Sequence, residues 1–247
     1  MKLIAFSLWG DNKVYTYGMV ENIILAKSLY PDWIVRVHYN DTVPINIIEW
    51  MTTQNNTELI HHPGGEKTAM NTFWRFEDIF IPDAITIVRD ADSRLNEREV
   101  KIVNNWLSSD KDFYSCRDHK HHTVPIMAGA FGCRNNCLKF IPLKNDNKNM
   151  NGPRYTYRDG LDLMKQFINI NSNGKYNIDQ MFLGTYVYPN ICLNCNFYTS
   201  HNNYEPFCKI LNPVETGYMG EVIEDCPVAA SIFLDNTTVF KRTGQYE

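Results

Sequence analysis

The sequence predicts an α/β protein in which a mixed, mainly parallel central sheet is flanked by helices. Three observations lead there. Strand-length apolar runs alternate with helix-length segments through the first ninety residues, in the order β-α-β-α-β-α-β. The run Ala84 to Val88 is apolar or β-branched at almost every position, with little alternation, as in strands buried on both faces of a parallel sheet. At 247 residues, 44% hydrophobic and 21% charged, the chain has ordinary globular composition. A chain of that length can bury roughly 70–75% of its unfolded surface without disulfide staples.

The elements follow in order. Leu3 to Trp9 is the first strand, closed by a turn at Gly10-Asp11-Asn12. Tyr17 to Leu29 carries Val20, Ile23 and Ile24 on one face and stops before Pro31, as a helix does. Trp33 to Tyr39 alternates and is a second strand; Pro44 opens a helix to Met51; Glu58 to His61 is a short third strand. Pro63-Gly64-Gly65 is a loop by composition. Thr72 to Phe80 is expected to be helical, and the buried strand Ala84 to Val88 follows. Asn96, with Glu99 three residues on, resembles a capping box for a helix to Leu107. Phe113 to Cys116 is another strand. Pro125 to Gly132 is apolar with small residues and reads as a strand approached closely by a ligand. The polar run Lys144 to Arg154 is a loop, Asp159 to Asn169 and Ile178 to Tyr186 are helices, and short strands and turns follow Pro189. The tail after Asn236 reads as loosely packed.

Several classes are excluded. A net charge of −4 argues against a protein that coats nucleic acid. No apolar run approaches the roughly 18 residues that span a bilayer. The opening apolar run is cut by Gly10-Asp11 and lacks a small-residue cleavage site, so it reads as a core strand rather than a leader. Seven scattered cysteines, an odd number, point to free thiols and a cytoplasmic location. The Gly-rich dinucleotide and P-loop fingerprints are missing, and so are G-x-S-x-G and H-E-x-x-H.

Chemistry concentrates at Arg89-Asp90-Ala91-Asp92-Ser93-Arg94, at the carboxyl end of the buried strand, where ligands of such sheets sit. Residues two apart in extended chain point the same way, so Asp90 and Asp92 can meet one cation while Ala91 faces away. One or two carboxylates completed by phosphate oxygens is the usual magnesium arrangement, and manganese suits the same oxygens. Arg89 and Arg94 flank the acids and could hold an anion beside the metal. An EF-hand is ruled out because Leu95 and Lys101 stand where Gly and Glu are needed. Cys116, His119, His121 and His122, with Cys133/Cys137 and Cys192/Cys195, could in principle ligate zinc, but ordinary thiols in a polar loop are the simpler reading. Tyr176-Asn177-Ile178-Asp179-Gln180 opens a helix; its acid and amide either cap that helix or face a cleft suited to sugar hydroxyls.

Taken together, these segments resemble the Asp-x-Asp, GT-A-fold glycosyltransferases of bacteria and large DNA viruses. The matching residues are Phe6-Ser7-Leu8-Trp9-Gly10, Tyr15, Gly18 and Asn22. They continue through Trp33, Arg36, Asp41-x-Val43-Pro44, Phe73-Trp74-Arg75-Phe76 and Val88 to Arg94. Arg117-Asp118-His119, Ala128 to Gly132 and Asp179-Gln180 complete the set, in consistent order from residue 3 to about 190. The resemblance implies a Rossmann-like GT-A fold, with residues 1–247 as one domain whose tail from 208 matches loosely. It implies a metal-dependent, retaining transfer from a nucleoside-diphosphate sugar, with UDP the expected nucleotide, to a glycan or other hydroxyl acceptor. Phe6, Trp9, Gly10, Tyr15 and Asp41 would then hold base and ribose; Arg75 and Arg89 would face the diphosphate. Asp90 and Asp92 would bind manganese or magnesium. Asp118, His119, Gly129, Asp179 and Gln180 would line the sugar and acceptor side, with Asp118 and Asp179 both candidates for the catalytic carboxylate. A third metal ligand would come from Cys195, His201 or water. The alternatives are a sugar nucleotidyltransferase, for which Gly10-Asp11-Asn12-Lys13 makes a poor triphosphate loop, and a catalytically inactive sugar- or nucleotide-binding protein. Richness in Asn, Lys and Ile fits a viral source, and with it a location in the host cytoplasm.

Overall fold

A computed structural model describes residues 1–145, 154–172, 174 and 176–235. The strands are β1 (Lys2–Leu8), β2 (Ile34–Tyr39), β3 (Thr57–His61), β4 (Ile85–Arg89), β5 (Phe113–Arg117), β6 (Ala130–Cys133), β7 (Phe140–Asn145), β8 (Arg154–Asp159), β9 (Cys195–Thr199) and β10 (Lys209–Ile210). The helices are α1 (Lys13–Leu29), α2 (Ile45–Thr52), α3 (Glu97–Leu107), α4 (Gly160–Ile170), α5 (Ile178–Phe182), α6 (Tyr188–Ile191) and α7 (Pro227–Ile232). Eight strands form one sheet in the order β10-β9-β5-β6-β4-β1-β2-β3. Only β6 runs against its neighbours, β4 and β5; every other pairing is parallel, so the expected mixed, mainly parallel sheet is present. The chain steps outward from β1 to β2 and β3, then returns to place β4 on the other side of β1. The switch point of the sheet therefore lies between the carboxyl ends of β1 and β4, where such folds bind ligands.

Two apolar layers cover the sheet, and strand alternation decides which residue enters which. Ile4, Phe6 and Leu8 of β1 and Ile87 of β4 join the layer built on α1, with Val20, Ile23 and Trp106. Ala5 and Val88 join the opposite layer, with Phe73, Phe76 and Phe182. With both faces covered, β1 and β4 have no polar face to reveal their orientation, as expected of buried parallel strands. Helix α1 starts four residues before the expected Tyr17 because the Asn12 side chain accepts from the Val14 amide at 3.0 Å and caps it. At α3, Asn96 accepts from the Glu99 amide at 2.9 Å. The reciprocal half of the expected capping box is missing, because the Glu99 carboxylate turns inward to Arg89 at 2.7 Å and to the Tyr30 hydroxyl at 3.1 Å.

Four expectations need correction. Ala69–Phe80 is a long run of 3-10 turns rather than an α-helix from Thr72. Of the expected strand Pro125 to Gly132, only Ala130 onward pairs, extending to Cys133. The helix from Ile178 breaks into α5, a π-type turn at Leu183–Val187 and α6. Antiparallel β7 and β8 take up the two ends of the stretch expected to be a loop. The rest of that stretch, 146–153, and the tail from 236 lie outside the described residues. No helix among the described residues is long and apolar enough to cross a membrane.

Candidate active site

The acid pair stands at the switch point. Asp90 and Asp92 both line a narrow inner slot of about 80 Å³ with Ser7, Trp9, Tyr15 and Arg75. Both also line an adjoining outer cavity of about 540 Å³ with His119, His122, Tyr218 and Gln180. The loop that carries them is fixed from two sides. Asn22 of α1 donates to the Ser93 carbonyl at 2.7 Å and accepts from the Leu95 amide at 3.0 Å. Gly18 lets α1 come this close, since a Cβ there would stand 2.2 Å from the Ala91 carbonyl oxygen. Arg94 does not face a ligand. Its guanidinium ties the loop to the Ile223 carbonyl at 3.1 Å and the Cys226 sulfur at 2.9 Å.

Arg75 is the electrostatic centre of the slot. It is 4% exposed, bonds the Arg89 carbonyl at 3.0 Å, pairs with Asp90, and reaches Asp179 at 3.2 Å. Its own amide bonds the Ser7 hydroxyl at 3.0 Å, which anchors the 3-10 run to β1. Burial pushes the Asp179 carboxyl up, against the pull of the Arg75 guanidinium. The Gln180 amide donates to Asp179 at 2.9 Å, while the Gln180 side chain accepts from the Ala128 amide at 3.2 Å and closes the slot.

The donor set fits a hard divalent cation. Asp90 is half-exposed to the cavity while Asp92 is almost fully buried, and oxygen ligands of this kind suit magnesium or manganese. Gly129 makes the room, because a Cβ there would stand 1.8 Å from the Asp90 carboxylate. Replacing Gly129 with Ala is therefore expected to displace Asp90 and weaken any divalent-cation binding at the acid pair by about 10-fold or more, at a stability cost of about 1–3 kcal/mol. Metal titration calorimetry would check this.

Other expected residues stand elsewhere, for one shared reason. Arg89 belongs to the α1 face of β4, one residue out of phase with Asp90. It is buried against Glu99 and donates to the Tyr114 hydroxyl at 2.7 Å, so it cannot face a diphosphate in the cleft. Phe6 lies on the same face in the core, and its neighbour Ser7 lines the slot instead. Asp118 also faces that side. It is fully buried, held by Arg98 through two 2.6 Å bonds and by the Met219 amide at 3.0 Å, and it is not available as a base in the cleft. Removing the Tyr114 hydroxyl (Tyr114→Phe) is expected to cost about 1–3 kcal/mol, because a buried guanidinium loses one of its partners while Glu99 keeps the other side. Denaturant melts would show that loss.

Trp9 and Tyr15 line the slot, whereas Gly10 closes the turn behind them. Its φ of 75° requires glycine, and its amide bonds the Thr42 hydroxyl at 2.7 Å. Asp41 is exposed outside the described cavities, paired with His61 at 2.6 Å and accepting from the Gly64 amide at 2.9 Å. His119 reaches the outer cavity and stacks on Tyr218 with centroids 4.4 Å apart. His201 lines a separate cavity with His119, Lys120 and Glu215, so it does not join the acid pair. His122 does line the outer cavity beside the acids, its pKa lowered to about 4 chiefly by burial. Asn177 does not cap α5; it adopts a left-handed conformation with φ 71°. Cys116 is buried in the α1-side core. Among the described residues, the one group of three whose donor atoms gather as metal ligands is not the Cys116–His122 segment but His38, His62 and Glu77.

Comparison with known proteins gives structural likeness only. No protein-family profile matches the chain, and no curated protein matches it. Three solved structures illustrate the likeness. The first is the mannosyltransferase PcManGT from Pyrobaculum calidifontis in complex with GDP-Man and Mn2+, at 15% identity and a TM-score of 0.40, over 56% of this chain and 45% of that one. The second is a glycosyltransferase involved in glycosylation of the major capsid of PBCV-1, at 12% identity and 0.46, over 99% and 94%. The third is S. aureus TarS 1-349, at 14% and 0.45, over 82% and 59%. The match thus spans less than half of the first of these and under two thirds of the third.

Proposed function

We propose that this protein is a metal-dependent glycosyltransferase, a single GT-A-type domain that moves a sugar from a nucleoside-diphosphate donor to a hydroxyl acceptor. One observation carries the reading: two carboxylates and a buried arginine converge in a single cleft at the switch point of the sheet. Trp9 and Tyr15 form the wall for base and ribose, with uridine the base assigned. Arg75 exchanges its pairing with Asp90 for the donor diphosphate, placing a fixed positive charge where charge builds on the leaving group. Manganese or magnesium held by Asp90 and Asp92 would supply further positive charge at the same oxygens.

The outer cavity takes the sugar and the acceptor, between His119, His122, Tyr218 and Gln180. An inverting reaction needs a base within hydrogen-bond reach of the acceptor hydroxyl. Among the described residues that line the outer cavity, the only carboxylates are Asp90 and Asp92. Asp179 lies in the inner slot, bound to Arg75. Retention therefore suits the site better, with Asp179 and Gln180 stabilising the sugar as its bond to the diphosphate breaks. Seven free cysteines accord with a reducing cytoplasm.

The test is a screen of nucleotide sugars with manganese. Metal-dependent release of a nucleoside diphosphate from one of them is the expected result. Pyrophosphate release from a nucleoside triphosphate and a sugar phosphate would point to a nucleotidyltransferase instead. Glycan binding without any donor turnover would point to an inactive binding protein.

A further inference from the structure

A second cluster of metal-ligand side chains lies on the open edge of the sheet, built from residues outside the two cleft cavities. His38 ends the buried part of β2, and His62 follows edge strand β3, its amide donating to the Tyr39 carbonyl at 2.7 Å. The two rings face each other, with His38 Nδ1 and His62 Nε2 2.9 Å apart. Glu77, on the 3-10 run Ala69–Phe80, brings a carboxylate oxygen so that one donor atom from each of the three residues lies within 4.8 Å of the others.

The surroundings are those of a prepared ligand set. Asp78 Oδ1 stands 3.3 Å from His38 Nε2 and is itself held by Arg36 Nη1 at 3.1 Å. That contact makes no hydrogen bond, but it puts a buried negative charge behind His38, on the side where outer-shell carboxylates stand at metal-bound histidines, while His38 Nδ1 faces His62. Asp78 is 2% exposed and its Oδ2 has no hydrogen-bond partner; an electropositive neighbour would offset that burial. Trp74 fixes the other ring by stacking on His62, centroids 4.5 Å apart at 8°. Ligand bonds of about 2.0–2.1 Å to a tetrahedral ion place neighbouring donors about 3.3 Å apart. The histidine nitrogens are near that spacing already, and the Glu77 oxygen lies within 4.8 Å of both.

We infer that His38, His62 and Glu77 form a second metal site, selective for zinc-like ions, that pins the 3-10 run to the β2–β3 edge. Two imidazoles and one carboxylate favour zinc or cobalt over magnesium, whereas the all-oxygen pair Asp90/Asp92 has the opposite preference. The clamp acts on Trp74 and Glu77, which bracket Arg75, so it stiffens the segment that carries the arginine into the cleft. The inference is independent of the reading as a glycosyltransferase.

Cobalt titration of the chelator-treated full chain, followed by visible absorption, tests it. One equivalent is expected to bind the wild type and Asp92→Asn alike, to be displaced by zinc, and to resist excess magnesium. His62→Gln and the near-isosteric Glu77→Gln, each checked for native circular dichroism, are expected to lose cobalt affinity at least about 10-fold, and Asp78→Asn about 10- to 100-fold. Absence of binding by the wild type would overturn the site and leave a histidine–histidine hydrogen bond. Undiminished binding by folded His62→Gln and Glu77→Gln would also overturn it. So would a loss of binding confined to a His119→Gln/His121→Gln double variant, which would assign the ion to the histidines beside the cleft.

Discussion

Replacing Arg75 with Met is expected to destabilise the protein by about 3–5 kcal/mol at neutral pH, the usual result of stranding a buried carboxylate, here Asp179. Arg75 alone stands between Asp90 and Asp179, and Asp179 is 7% exposed. The loss should depend on pH with a definite sign. Burial already raises the Asp179 carboxyl above its ordinary value, and Arg75 opposes that rise. Without the guanidinium the carboxyl moves up further. A carboxyl raised in the folded state favours folding below its unfolded pKa, and that contribution disappears as the pH climbs through the folded pKa. The deficit of the variant should therefore be smallest near pH 4 and grow toward neutrality, as urea melts across that range would show. Nucleoside-diphosphate affinity should fall about 10- to 100-fold, since charge-assisted hydrogen bonds to phosphate contribute about 1.5–3 kcal/mol. An unchanged affinity in folded Arg75→Met would remove the arginine from the donor site.

The second large effect is expected at Asp92. It lines both cavities and sits in a loop clamped by Asn22 and Arg94, so Asn fits its place with little disturbance. The change deletes one negative charge from a two-carboxylate ligand set. Stability without ligand should move by no more than about 1 kcal/mol, because relief of repulsion between the acids offsets the altered hydrogen bonding. Donor turnover should fall at least about 100-fold, the scale seen when one stabilising group at a developing charge is removed. Asp90→Asn should behave less cleanly, since Asp90 also partners Arg75.

Most of the layered architecture was legible in the sequence, and the misplacement of Phe6, Arg89 and Asp118 has one physical origin. The rhythm of the first ninety residues and the cleft at Asp90 follow from strand-length apolar runs ending in polar turns. What those runs conceal is phase. Because β1 and β4 are covered on both faces, no polar face marks which residues look toward the ligand, and a side-chain period of two then turns an error of one residue into an error of face. Phe6 was expected where Ser7 stands, and Arg89 was expected beside Asp90 although it faces Glu99. Asp118 fell on the α3 side for the same reason. Arg75 is singled out only by the resemblance through Phe73-Trp74-Arg75-Phe76, and the 3-10 geometry that carries it into the slot leaves no pattern in the sequence. The His38–His62–Glu77 cluster left no local signal, since its three members come from two strand ends and a distant turn. Tyr218 and His122, which complete the outer cavity, lie in segments of turns and short contacts where periodicity gives no guide.

The most direct measurement is thermal unfolding with UDP and manganese, alone and together, for the wild type and Asp92→Asn. At 100 times the dissociation constant, the pair of ligands should stabilise the wild type by about 2.7 kcal/mol. Asp92→Asn should lose the part of that gain that requires manganese. A wild type that responds to no nucleoside diphosphate with metal, or an Asp92→Asn variant that responds in full, would contradict the assignment of the cleft.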